Sequence, residues 1–142
     1  MGGGSTQSFY LPLILKPYAF ALQNGSPFYL RNFANTAGCN WQGIAGQVYD
    51  LNGRHVIGLV AHLEGGGLNL DAITGSKPEY GQSGYEFFLT STPQTTTDMY
   101  RVQLRTAGGA PLSDVYVIPT FANTAPDICP KNLALVNFVQ NH

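Results

Sequence analysis

Hydrophobic and polar side chains alternate with a period of two over residues 59–64. Apolar side chains at positions 59, 61 and 63 alternate with Val60, His62 and Glu64. Successive side chains of a β-strand point to opposite faces, so this pattern predicts a strand with one buried face and His62 on the other. We interpret His62 as an isolated surface group.

Several other short runs have strand-like composition and are separated by turn-forming residues. They are Phe28–Phe33, Leu68–Thr74, Tyr85–Leu89, Met99–Arg105, Val115–Ile118 and Asn132–Val139. Short strands with turns at regular spacing are typical of a sandwich. The sequence therefore predicts an all-β fold, a single antiparallel β-sandwich of about seven or eight strands with an extended N-terminal arm.

A β-hairpin is predicted over residues 46–63, where two apolar runs flank the dipeptide Asn52-Gly53. Glycine reaches positive φ without a Cβ clash and asparagine tolerates it, so the dipeptide suits a tight turn. Asp50 and the next three residues also resemble the start of a calcium loop. The later ligands of such a loop are missing, so we interpret Asp50 as a turn residue.

The chain before the predicted sandwich of residues 21–142 divides into two parts. Residues 1–5 are rich in glycine and are interpreted as an added flexible linker. Residues 6–20 form an apolar arm or edge strand, because Pro12 is unsuited to a central strand. The arm packs on its own domain or adds to a neighbouring copy; the residues assigned to that assembly are Phe9, Tyr10, Leu11, Leu13, Ile14 and Leu15.

Charge and hydropathy exclude two classes of partner. Only 11% of the residues are charged, the formal net charge is −1, and the sequence contains no basic cluster. We therefore expect no binding to nucleic acid or to an anionic lipid surface. No apolar run approaches the roughly 20 residues that span a bilayer, so membrane insertion is not expected.

The two cysteines, Cys39 and Cys129, are predicted to form one long-range disulfide. The same five residues, Phe-Ala-Asn-Thr-Ala, occur at 33–37 and 121–125, shortly before each cysteine. Two buried free thiols are the alternative. Because structural disulfides persist in oxidising compartments, a disulfide predicts an extracellular or cell-surface location.

The sequence offers no complete set of catalytic or metal-binding residues, so we expect no catalytic site, no metal site and no cofactor. His55 and His62 are seven residues apart and would point to opposite faces of one strand. Ser83 lies in a glycine-rich loop that only superficially resembles a nucleophile-elbow motif. Four carboxylates are candidates for acid–base chemistry but are interpreted as surface groups: Glu64, Asp71, Glu79 and Glu86.

Trp41 and Tyr80 are the aromatic residues that we consider for ligand stacking. Trp41 lies near Cys39, where covering the core is the main alternative, and Tyr80 lies in a long loop of residues 75–84. Loops often carry binding sites. These two rings are the basis for an alternative function as a carbohydrate-binding module.

One family resemblance rests on spaced glycine, aromatic and aliphatic positions. They are Gly46, Val48, Asp50, Gly53, Val56, Gly58, Ala61 and Leu63, followed by Ser83-Gly84-Tyr85, Phe87, Tyr100, Val102 and Leu104. This pattern resembles the transthyretin-like, carboxypeptidase regulatory-like domains, although His55 stands where that family often has proline. The flanks are similar to uncharacterised secreted bacterial domains. The resemblance implies an accessory or structural domain without its own chemistry.

From these features we expect a non-catalytic extracellular structural or interaction module, not an enzyme, that assembles through the apolar arm. The expected partners are other copies of the chain or a cell-surface protein. A glycan is the partner under the carbohydrate-binding alternative.

Overall fold

The computed structural model describes residues 18–142, which form eleven strands and one 3₁₀ helix, Pro78–Tyr80. The strands are β1 Phe20–Leu22, β2 Phe28–Leu30, β3 Gln42–Gly46, β4 Val48–Tyr49, β5 Val60–Gly65, β6 Leu68–Ile73, β7 Tyr85–Thr90, β8 Arg101–Arg105, β9 Tyr116–Val117, β10 Leu133–Leu135 and β11 Phe138–Gln140. The all-β class is confirmed. The expected seven or eight strands are too few, because several predicted runs divide into shorter strands.

Three sheets enclose one apolar core. Their strand orders are β9-β8-β5-β6, β2-β10-β3-β7 and β1-β11-β4. Each sheet supplies fully buried side chains to that core, among them Ile44 from β3, Leu63 from β5 and Phe138 from β11. This face-to-face burial is the arrangement of a β-sandwich.

Two of the three sheets are mixed, so the prediction of an antiparallel sandwich is wrong in two pairings. Strand β10 runs parallel to β3, and β11 runs parallel to β4. The run 132–139, predicted as one strand, is broken after Leu135, and its two halves belong to different sheets. Sequence periodicity did not indicate this break because both halves are equally apolar.

The hairpin predicted over residues 46–63 is confirmed only at its turn. The backbone N–H of Gly53 donates to Asp50 O at 3.0 Å, and Val56 N–H donates to Val48 O at 2.9 Å. Strand β5 then leaves this pair and forms its hairpin with β6 through the turn at Gly65–Gly67. Strand β5 pairs along its length with both β6 and β8, which gives it two ladders of backbone hydrogen bonds. Strand β4 is only two residues long and would offer it far fewer.

The residues assigned to the assembly arm, Phe9 to Leu15, lie outside the described part of the chain. Of the arm predicted over 6–20, only residues 18–20 are described. Phe20 opens β1, pairs with Gln140 of β11 and is buried in the domain's own core.

The predicted disulfide between Cys39 and Cys129 is confirmed. It joins residues 90 positions apart, with their Cα atoms 5.4 Å from each other. Beside it, the buried Asn132 amide Nδ2 donates to Trp41 O at 2.9 Å and to Gly38 O at 3.1 Å. Within residues 18–142 no helix is long and apolar enough to cross a membrane.

Replacing both cysteines by alanine should lower the free energy of unfolding by up to about 4–5 kcal/mol, since the cross-link closes a long loop in the unfolded chain. Urea denaturation of the wild type and the double variant measures the difference. Reductant should destabilise the wild type and leave the double variant unchanged. Equal urea midpoints for the two proteins would contradict a stabilising role for the disulfide.

Candidate functional site

The two rings considered for ligand stacking are buried. Trp41 is 6% exposed and Tyr80 is 7% exposed, and both belong to a small apolar cluster with Ala45 and Leu133. Phe33 packs edge-to-face with Tyr80, and the two ring centroids lie 5.3 Å apart. Neither ring offers a free face to a sugar, so the stacking role does not fit the structure.

The Tyr80 hydroxyl takes part in a closed polar cluster. It donates to Glu86 Oε2 at 2.6 Å, and Lys77 Nζ lies 3.7 Å from Glu86 Oε1. Burial, reinforced by the hydrogen bond to Glu86, raises the pKa of Tyr80 well above its usual value. The phenol therefore stays protonated and fixes the loop that carries it.

Ser83 and His55 come together, as a serine nucleophile and its base would, although neither was assigned a role from the sequence. Ser83 Oγ lies 2.9 Å from His55 Nδ1. The same oxygen accepts the backbone N–H of Val48 at 3.0 Å, and Ser83 is fully buried. A substrate cannot reach an oxygen that is occupied and enclosed in this way, so the pair is structural.

Asp50 is a turn residue, as expected. Its Oδ1 accepts the backbone N–H groups of Asn52 at 2.8 Å and Arg54 at 2.9 Å. The hydrogen bond from Arg54 is the main reason that the pKa of the Asp50 carboxyl lies below its usual value. Among residues 18–142, no group of three or more His, Cys, Asp or Glu side chains is arranged to hold a metal ion.

The most distinctive polar arrangement lies on the outer face of the β9-β8-β5-β6 sheet. Ala61 and Leu63 of β5 point into the core, which places His62 and Glu64 on the outer face, as the alternation predicted. In the register of the sheet, His62 lies between Asp71 of β6 and Gln103 of β8. Neighbouring strands thus give His62 a polar residue on each side.

Both ring nitrogens of His62 contact carboxylates. Nδ1 lies 2.6 Å from Asp71 Oδ1, and Nε2 lies 2.8 Å from Glu64 Oε2. His62 itself is 8% exposed. The interpretation of His62 as an isolated surface group is therefore wrong, because the side chain is nearly buried and two carboxylates contact it.

A depression of about 230 Å³ opens beside this histidine. Its lining residues are His62, Glu64, Arg101, Gln103, Arg105 and Val115. Asp71 is not among them, although its Oδ1 contacts Nδ1 of the same ring. The depression therefore brings one acidic residue, Glu64, and two arginines, Arg101 and Arg105, next to His62.

The two arginines of β8 differ in their partners. Arg101 Nη2 donates to Asp98 Oδ1 at 2.7 Å, and both side chains of this pair are well exposed. Arg105 Nε donates to the Gln103 side-chain oxygen at 2.8 Å. Arg105 has no ion pair within residues 18–142. Its guanidinium thus keeps donors for an anion.

Sequence patterns placed these residues on strands but did not bring them together. The alternation over 59–64 and over 100–105 gives the face of each side chain. The cross-strand register that sets His62 between Asp71 and Gln103 comes from the pairing of three strands. A slip of one residue would separate them.

Comparisons with known proteins give a distant structural likeness. No family model matches the chain, and no curated protein matches it. One similar solved structure is the dioxygenase domain of a dioxygenase carbohydrate-binding protein fusion from the cellulolytic bacterium Streptomyces sp. SirexAA-E. It is 12% identical with a TM-score of 0.41, and the match covers 84% of this chain and 95% of that one. Another is chlorocatechol 1,2-dioxygenase from Pseudomonas putida, 14% identical with a TM-score of 0.40, covering 84% and 68%.

These neighbours contradict the expectations of a non-catalytic module and of a chain that is not an enzyme, since both are dioxygenases by name. We correct those two expectations. TM-scores near 0.4 describe a loose likeness, which assigns no activity to this chain. The resemblance to carboxypeptidase regulatory-like domains stays a prediction.

If Ser83 is structural, Ser83→Ala should lower the free energy of unfolding by about 1–3 kcal/mol, because the buried Val48 N–H loses its acceptor. The measurement is urea denaturation of the two proteins. A fluorophosphonate probe, which labels activated serines, should leave Ser83 unmodified in intact-mass spectra. Labelling that Ser83→Ala abolishes would identify Ser83 as a nucleophile instead.

Proposed function

We propose that the outer face around His62 binds a small organic anion and that His62 exchanges a proton with it. The observation that supports this most is His62 itself, which is nearly buried yet borders a depression that also contains two arginines. A histidine placed only for packing needs neither two carboxylates nor an open depression beside it.

The imidazole is held as an acid–base group requires. In acid–base sites a carboxylate on one ring nitrogen fixes the orientation of the ring, and the other nitrogen transfers the proton. Asp71 has this position on Nδ1, at 2.6 Å. Nε2 is directed toward Glu64, whose side chain is 58% exposed and borders the depression.

Arginine makes the same depression suitable for an anion. The planar guanidinium presents paired donors that match a carboxylate or a phosphate. Among residues 18–142, Arg105 forms no ion pair, and Arg101 pairs only with the exposed Asp98. Both arginines line the depression together with His62.

The cellular location is part of the proposal. The Cys39–Cys129 disulfide supports an extracellular or cell-surface location, because such bonds persist in oxidising compartments and are rare in the cytosol. A small anion would then reach the site from the medium outside the cell.

Titration with sodium acetate or inorganic phosphate, at constant ionic strength with chloride as the balancing anion, should produce a saturable shift of the His62 ring signals in ¹H–¹⁵N NMR spectra. The His55 ring serves as the internal reference. Arg105→Ala should weaken binding by about fivefold, the upper end for one partly exposed charge pair.

Arg54→Ala is the matched control, because Arg54 is exposed in the turn before His55 and does not border the depression. It should leave the affinity unchanged. Equal shifts at His55 and His62, or no shift at either ring, would exclude the anion site.

The proton exchange is tested with mono-4-nitrophenyl succinate, an ester that carries a free carboxylate, and with 4-nitrophenyl acetate, which carries none. His62→Gln should slow hydrolysis of the succinate ester about a hundredfold relative to wild type, the scale of general acid–base catalysis. Release of nitrophenolate measures both rates. Equal rates for wild type and His62→Gln would remove the proton-transfer role while leaving anion binding in place.

A further inference from the structure

Glu64 contacts His62 Nε2 rather than the residue opposite it on the neighbouring strand. In the register of the sheet, Glu64 lies directly opposite Arg101 of β8. Opposite charges at such positions normally pair. Instead, the Glu64 carboxylate contacts His62 Nε2 at 2.8 Å, and Arg101 pairs with Asp98.

Glu64 and Asp71 contact the same ring in different settings. Asp71 lies outside the lining of the depression, whereas Glu64 is part of it. Their side chains are similarly exposed, 58% for Glu64 and 63% for Asp71. Glu64 thus lines the depression and contacts His62 Nε2, whereas Asp71 contacts Nδ1 and does not line it.

We propose that the Glu64 carboxylate occupies the position of the ligand's carboxylate. The ligand then binds by displacing Glu64 from His62 Nε2. This inference rests on the proposed anion site and specifies its ligand as a carboxylic acid. A carboxylate accepts the Nε2–H hydrogen bond in the geometry that Glu64 already has. The displaced Glu64 side chain then has Arg101 as its cross-strand partner, so its charge is not left without a counterion.

Competition between two carboxylates for one donor has a measurable consequence. Glu64→Gln keeps the size of the side chain and removes its negative charge, so a ligand carboxylate meets a weaker rival on Nε2. Acetate should therefore bind the Glu64→Gln variant about two- to fivefold more tightly than wild type, the scale of one exposed ion pair.

The experiment titrates wild type, Glu64→Gln and the control Glu79→Gln with sodium acetate at constant ionic strength, followed by the His62 ring signals. Glu79 is an exposed carboxylate of the 3₁₀ helix that does not border the depression. Its variant carries the same change in net charge and should bind acetate as the wild type does. A tighter affinity in both variants would reduce the effect to net charge and overturn the inference.

The Glu64→Ala variant shows whether Glu64 competes with acetate for His62 or contributes to acetate binding. If Glu64 competes with the ligand, Glu64→Ala also binds acetate more tightly than wild type. If acetate binds wild type but both Glu64 variants bind it equally well or more weakly, the inference fails and the anion site stands. If none of the proteins binds acetate or phosphate, the proposed function fails.

Discussion

The structure depends on the parallel pairing of two segments that pass together from one sheet to the next. Residues 42–49 form β3 and β4, and residues 133–140 form β10 and β11 beside them. At the crossing, Gly46 lies so close to the Val136 carbonyl that a Cβ would overlap its oxygen. The Tyr85 hydroxyl donates to the same oxygen at 2.6 Å. Because β10 and β11 occupy interior positions, two sheets form only when the last residues of the chain join them.

The β9-β8-β5-β6 sheet takes no part in this crossing and is free to present a polar outer face. Ala61, Leu63, Val102 and Leu104 are fully buried against the core, which fixes the outward direction of the residues between them. The side chains around His62 therefore stand on paired strands whose inner faces cannot rotate or slip without exposing apolar surface. A site built on such strands is held more precisely than one built on a loop.

Three polar clusters show how burial separates structural from functional chemistry. Ser83 Oγ is fully enclosed and shared between His55 and a backbone N–H, and Tyr80 is covered by its neighbours. Their hydrogen bonds are satisfied within the fold, so nothing in them is left for a ligand. His62 is also nearly buried, yet its contact with Glu64 borders an open depression next to Arg105. His62 differs from Ser83 and Tyr80 because it borders an open depression.

The sequence by itself determined the all-β class, the turn at Asp50–Arg54 and the faces of the residues in β5 and β8, because alternation and turn chemistry are local properties. It also predicted the disulfide, since the chain has only two cysteines, but left two free thiols as the alternative. It did not determine the strand count, the parallel pairings or the end of the run at Leu135, since those depend on which distant segment lies alongside. The surroundings of His62 belong to the second group. His62, Asp71 and Gln103 are separated in the chain, and only the register of β5 with β6 and β8 sets them side by side.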